Sequence, residues 1–254
     1  MSILKLEGIT QEFGGLRALD TVSMEVEQGK IFGIIGPNGA GKTTLFNIIT
    51  GIYIPTEGNL FFKDGDITST PAYNVARLGI GRTFQNIRLF GKLSVIDNVK
   101  VGSHGVTSSG FISNLFALPK AKKEEEIITA KALDLLELVG LADVKLEFAD
   151  SLAYGDQRRL EIARALALEP TLLLLDEPAA GMNSAEKLDL MELINLIKEE
   201  YKLTILLVEH DMDLVMNICD LIAVLDYGKK IAEGTPQEVK SDERVIMSYL
   251  GVQV

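Results

Sequence analysis

Residues 36–43 read Gly-Pro-Asn-Gly-Ala-Gly-Lys-Thr, a glycine, four spacers, a glycine, a lysine and a threonine. That spacing suits a phosphate cradle. Gly36, Gly39 and Gly41 carry no Cβ, so the backbone can take positive φ angles and turn its N–H groups inward, with Pro37, Asn38 and Ala40 filling the loop between them. The following helix, opening near Lys42, Thr43 and Thr44, adds its positive N-terminal end. Lys42 places an ammonium on the β- and γ-phosphates, and the Thr43 hydroxyl is a hard oxygen ligand for the Mg²⁺ that a nucleoside triphosphate carries. Far along the chain, the apolar run 171–175 (TLLLL) ends in Asp176, Glu177 and Pro178. At the carboxyl edge of a parallel strand, Asp176 can hold Mg²⁺ through water and Glu177 can polarise an attacking water. An acidic pair also ends many strands at solvent, and only the phosphate loop raises this one above that reading. A second run, Leu203 to Val208, ends in Glu209, His210 and Asp211. His210 could reach the γ-phosphate from the neighbouring strand edge, whereas His104 sits in a Gly/Ser stretch with no such context.

These residues need a parallel sheet to position them. Ile31–Ile35 is an apolar strand running into the glycine loop, and 171–175 and 203–208 have the fully apolar character of central parallel strands. Upstream, residues 3–9 and 19–28 alternate apolar and polar, which predicts short antiparallel strands, with Phe13, Gly14 and Gly15 in a loop between them. A loop aromatic there can stack on an adenine or simply pack. Residues 58–67 predict a strand closed by an Asp-Gly turn, 71–78 a short helix capped by Gly79, and Ile80–Phe84 a strand leading to Gln85. From Ser94 to about Val139 the pattern turns helical, interrupted by a Gly/Ser-rich stretch at 102–110. The charge run 120–126 marks a solvated helix start, and Leu133, Leu136 and Val139 recur at helical spacing.

The chain has 254 residues and a formal net charge of −11, room for one large domain with a smaller subdomain and a poor match to a nucleic-acid surface. No run approaches the roughly eighteen apolar residues of a membrane helix, and the start lacks a secretory signal, so the chain is expected to stay where it is made. Cys219, on what reads as a helix, is the single cysteine, which rules out a disulfide framework and fits a reducing compartment.

In this order, the pieces resemble the ATP-binding subunit of an ATP-binding cassette (ABC) transporter along nearly the whole chain. Beyond the phosphate loop, the resemblance rests on Gln85 in TFQN, LAYGDQRR at 152–159 opening a helix, LLLLDEP, and His210 in VEHD. Within the family, GIGRTFQNIRLF, LAYGDQRRLEIARAL and DEPAAGMN are most similar to the LivG-type ATPases of branched-chain amino-acid importers. The resemblance implies an α/β fold: a P-loop NTPase (RecA-like) core with an antiparallel β-subdomain over 1–90 and 160–254, and an inserted helical subdomain over 91–159. It implies Mg²⁺-dependent ATP hydrolysis coupled to import. Phe13 becomes the adenine-stacking aromatic, Gln85 a residue near both Mg²⁺ and the membrane partner, and His210 the switch histidine.

The family's signature loop, usually LSGGQ, corresponds to Leu152, Ala153, Tyr154, Gly155 and Asp156. Ala153 lacks the serine hydroxyl, Gly155 keeps a backbone donor, and Asp156 adds a carboxylate; Asn183 stands where an aspartate is usual. The resemblance implies a sandwich of two ATPase subunits at the cytoplasmic face of the cell membrane. The chain's partner would be a second, different ATPase, together with two membrane-spanning permeases and, indirectly, an extracytoplasmic binding protein. The segment 102–120, with Phe111, Leu115, Phe116 and Leu118, either contacts a partner or packs on its own subdomain. A lipopolysaccharide exporter ATPase is the nearer alternative. A soluble ABC ATPase of nucleic-acid metabolism is the more distant one, opposed by the acidic balance and the lack of a coiled-coil insertion.

Overall fold

The computed structural model describes residues 1–103 and 119–250. Its packing divides the chain into two units, one formed by 1–82 with the chain from 171 onward, the other by 83–170. The Gly/Ser stretch beyond Ser103, His104, and the aromatic and leucine side chains at 111–118 lie outside the described residues.

The first unit is built on two sheets. In the six-stranded sheet the order is β10-β9-β3-β8-β7-β6, made from β3 (Ile31–Ile35), β6 (Ile80–Arg82), β7 (Leu172–Asp176), β8 (Thr204–Val208), β9 (Leu221–Asp226) and β10 (Lys229–Gly234). β3 pairs in parallel with both β8 and β9, and β7 in parallel with β8 and β6. Every residue of β3, β7 and β8 is buried, which is why these strands are unbroken apolar runs. Gly33 is the exception in size. A Cβ there would come 2.9 Å from the Cys219 sulfur, so the glycine lets the end of α7 (Met212–Ile218) settle on the sheet.

The second sheet, β2-β1-β4-β5, is antiparallel. Its first strands are longer than the alternation suggests: β1 is Ser2–Phe13 and β2 is Leu16–Glu27. Phe13 is therefore not in a loop but closes the ladder opposite Leu16, and Gly14-Gly15 forms the turn. Register shifts between Leu6 and Glu12 explain the difference, because they bury Ile9, Thr10 and Gln11 consecutively and break the alternation there. Residues 58–67 also fold differently. β4 (Glu57–Phe62) and β5 (Gly65–Asp66) form a hairpin whose central pair is Lys63-Asp64, both at positive φ of 50° and 64°, as a two-residue hairpin turn requires. Strand β6 stops at Arg82 rather than Phe84. The remaining helices of this unit are α1 (Lys42–Ile49), α2 (Ala72–Arg77), α6 (Ser184–Tyr201), α8 (Pro236–Ser241) and α9 (Glu243–Leu250). Asn183 opens α6 with a reciprocal cap, accepting from Ala185 and Glu186 while Glu186 accepts from the Asn183 N–H.

The second unit contains α3 (Val95–Ser103), α4 (Pro119–Leu138) and α5 (Tyr154–Leu166). Ser94 caps α3 by accepting from the Asp97 N–H at 3.2 Å. Along α4, Ile128, Ala132, Leu135 and Leu136 are buried, at helical spacing, and Val139 just beyond them is buried too. The centre of the unit is charged. Arg158 and Glu161, both on α5 with fully buried side chains, pair at 2.8 Å. Arg158 donates to the carbonyls of Phe84 at 2.6 Å and Gln85 at 2.9 Å, and to the Tyr154 hydroxyl at 3.3 Å. Glu161 accepts from the N–H groups of Arg88 and Phe84 at 3.2 and 3.4 Å. Burial pushes its carboxyl up, against the pull of Arg158. Removing one member strands a buried charge, so Glu161→Ala should lose about 3–5 kcal/mol of stability in urea unfolding. The joint Arg158→Met, Glu161→Leu change should lose less than the single one.

Candidate functional site

The phosphate loop turns on backbone that only glycine adopts easily. Gly36, Gly39 and Gly41 have φ of 148°, 81° and 103°. At Gly36 a Cβ would also fall inside the Leu225 carbonyl oxygen, and at Gly41 it would lie 2.7 Å from the Ala18 carbonyl. Both residues are glycine because neighbouring backbone passes too close for a side chain. Pro37, Asn38 and Ala40 fill the loop, and the Ala40 N–H closes on the Pro37 carbonyl at 3.2 Å. Lys42, Thr43 and Thr44 form the first turn of α1. The Lys42 ammonium, nearly buried, donates to the carbonyls of Gly36 at 2.6 Å and Pro37 at 3.0 Å. Burial pulls its pKa below the usual lysine range, and the charges of Glu177 and Asp176 oppose that shift. Tyr249 of α9 reaches the same loop, with its phenol oxygen hydrogen-bonded to the Gly36 backbone and its pKa raised by burial.

Asp176 is the last residue of β7 and is 2% exposed. Glu177 follows at a positive φ of 47°, an unfavourable conformation for a residue with a Cβ. Its N–H is held by the Val208 carbonyl at 2.9 Å, so the parallel pairing of β7 with β8 imposes the turn. His210, just past β8, stands with Nδ1 3.6 Å from Glu177 Oε2 and its side chain mostly exposed. One unit therefore brings together Lys42, Asp176, Glu177 and His210.

Thr43, exposed at the start of α1, and Asp176 are hard oxygen donors, and among the described residues no cluster of three or more His, Cys, Asp or Glu could cage an ion. A sparse oxygen set fits Mg²⁺, which keeps waters and shares its shell with substrate phosphates. Phe13, about two-fifths exposed, meets Tyr53 edge to face at a centroid distance of 5.3 Å. An aromatic pair with an open face can receive a base.

Gln85, Ala153 and Gly155 belong to the second unit. The Gln85 carbonyl is the one held by Arg158. Ala153 is the N-cap of α5 and makes no side-chain cap, while Gly155 and Asp156 lie half-buried in its first turn.

Several contributors carry no motif of their own. Glu209, 1% exposed, accepts from the N–H groups of Ala179 at 2.8 Å, His210 at 3.0 Å and Asp211 at 3.3 Å. Burial pushes its pKa up against those bonds. It ties the chain after Glu177 to the backbone of His210. Asp211 caps α7 and pairs with Lys187, which holds its carboxyl below the usual range.

A family profile described as "ABC transporter" matches residues 19–180, and one described as "Branched-chain amino acid ATP-binding cassette transporter" matches 229–254. The high-affinity branched-chain amino acid transport ATP-binding protein BraF of Pseudomonas aeruginosa is 44% identical over 249 residues, covering 98% of each chain. LivG of Salmonella typhimurium, of the same description, gives the same identity and coverage. The crystal structure of the ADP conformation of an ATP-binding cassette of an ABC transporter superposes with a TM-score of 0.86 at 35% identity, covering 99% of this chain and 100% of that one. A phosphate loop facing an acidic strand end, on a fold and a sequence shared at these levels, makes this chain an ATP-hydrolysing member of the ABC transporter family.

Proposed function

We propose that the chain is the ATPase subunit of an importer of branched-chain amino acids, working at the cytoplasmic face of the cell membrane. The observation that carries this reading is the 44% identity with BraF across 98% of both chains. The profile match at 229–254 adds support from residues outside the first match. Neither a lipopolysaccharide exporter nor a nucleic-acid enzyme is favoured by these relatives.

In this reading backbone N–H groups of the glycine loop and of the first turn of α1, with the Lys42 ammonium, bind the β- and γ-phosphates, and Phe13 stacks on the base. Lys42 exchanges its two loop carbonyls for phosphate oxygens, so its hydrogen bonds are replaced rather than lost. Thr43 and Asp176 would hold Mg²⁺, which when bound would supply positive charge to the phosphates. Glu177 accepts the proton of the attacking water. His210 faces the γ-phosphate, and Glu209 fixes its backbone.

Among the described residues no helix is long and apolar enough to cross a membrane, and in this reading the pathway for the substrate belongs to separate permeases. The second unit offers them a surface. Phe90, Leu93, Leu146 and Phe148 are all exposed, Leu146 at 79%, and the segments bearing them are tied by the Ala149 to Leu93 hydrogen bond and the Ser94–Phe148 bridge. A second ATPase subunit completes the site by presenting its signature loop to the γ-phosphate. Because this chain offers Ala153 and Asp156 there, we infer a different ATPase as the physiological partner.

Three outcomes test the reading. Lys42→Ala should abolish ATP hydrolysis and weaken nucleotide binding in a calorimetric titration; unweakened binding would count against the phosphate loop. Glu177→Gln should bind ATP with turnover reduced about 10²-fold or more in a phosphate-release assay, since it keeps the shape and loses the base. The isolated chain should dimerise weakly with ATP in size-exclusion chromatography, and Ala153→Ser with Asp156→Gln should strengthen the dimer. A tight homodimer of the unmodified chain would remove the case for a different partner.

A further inference from the structure

Arg82 is the last residue of β6, and its cross-strand partner on β7 is Leu174. Asp176, two residues further along β7, lies on the same face of the sheet as Leu174. From that position Arg82 Nη2 meets Asp176 Oδ2 at 2.9 Å, with side chains only 7% and 4% exposed. The other arm, Nη1, donates to Asn47 Oδ1 at 2.8 Å and to Thr50 Oγ1 at 2.9 Å. The Thr50 hydroxyl can accept because it spends its own proton on the Phe46 carbonyl, at 2.8 Å. The guanidinium lies over the Phe46 ring, 5.6 Å from its centroid. One planar group thus fastens the acidic end of β7 to the helix that begins with Lys42 and Thr43.

We propose that Arg82 is a positioning residue for the metal-bearing end of the site: it holds the Asp176 carboxylate at a fixed place relative to α1, and so relative to Thr43. The proposal rests on the reading of Thr43 and Asp176 as the Mg²⁺ ligands. Arginine suits the task because its fork can engage a carboxylate on one side and two neutral acceptors on the other without moving. Partners that orient a metal ligand typically change metal affinity 10- to 100-fold when removed.

The field of Arg82 and its geometry predict opposite outcomes, which makes the proposal decidable. If Arg82 acted only as a positive charge beside the ion, removing it would tighten Mg²⁺ binding. If it positions Asp176, removing it weakens Mg²⁺ binding although a repulsive charge has gone. The experiment is calorimetric titration of the chain with ATP, in excess EDTA and then in Mg²⁺, for the unmodified protein, Arg82→Gln, Arg82→Lys, and Asn47→Ala with Thr50→Val. In Arg82→Gln the Mg²⁺-dependent gain in ATP affinity should fall about tenfold or more, with the affinity in EDTA within about twofold of the original. Arg82→Lys, which keeps the ion pair and loses the fork, should recover part of the gain. The Asn47/Thr50 variant, which leaves both charges in place, should lose about threefold, and it decides the question if circular dichroism shows Arg82→Gln unfolded. An unchanged or enlarged Mg²⁺-dependent gain in the folded variants overturns the proposal, as does an equal loss in EDTA. Failure of the unmodified chain to gain affinity from Mg²⁺ overturns the ligand assignment beneath it instead.

Discussion

The parallel pairing of β3 with β8 and of β8 with β7 is the constraint on which the site depends. Parallel strands in register end together, so the residues just past their carboxyl ends are delivered to one edge. Ile34 lies opposite Val208, and Val208 opposite Asp176. The phosphate loop, the acidic pair and the Glu209–His210 segment are therefore neighbours by ladder geometry before any side chain interacts. The strain at Glu177 follows from the same pairing, since the Val208 carbonyl that ends β8 captures its N–H. A local conformational cost is borne by the cooperative stability of a fully buried sheet.

Around that edge, charged side chains hold backbone in place rather than decorate the surface. Arg158 and Glu161 bind four backbone groups between Phe84 and Arg88, and Glu209 binds three between Ala179 and Asp211. Each is buried, and each spends its polar capacity on N–H or C=O groups in stretches that lack a ladder of their own. Irregular segments near chemistry need such partners, because unpaired buried backbone groups are costly. Tyr154, which replaces a glycine of the usual signature, joins one of these networks through its hydroxyl. The substitution brings its own hydrogen-bond partner.

The parts legible in the sequence were those set by local rules. The phosphate loop declares itself because steric exclusion at Gly36 and Gly41 leaves one residue type. β3, β7 and β8 declare themselves because two buried faces demand continuous apolar runs. The hidden parts are those in which a residue's meaning depends on a distant partner. Arg82 ends a strand of only three residues, and nothing adjacent to it tells of Asp176 or Asn47. Arg158 and Glu161 share a helix with Arg159 and Arg164, and their charge alone does not tell that both are fully buried. Glu209 looks like the flank of His210, and only tertiary structure shows its bond to Ala179. The ends of β1 and β2 were obscured by register shifts, which disguise a period of two.

The contact between Gly33 and Cys219 has a practical consequence for labelling this protein. The single thiol is pressed against a strand of the central sheet, and burial pushes its pKa up to about 12. At neutral pH the thiolate that alkylating reagents require is therefore scarce. Maleimide or nitroxide probes would thus pass over Cys219 in the folded chain and attach to cysteines introduced at the surface, with no need to replace the native residue. Conversely, slow modification of Cys219 itself would time the separation of α7 from β3, a clock for opening of the nucleotide core that the protein carries unaltered.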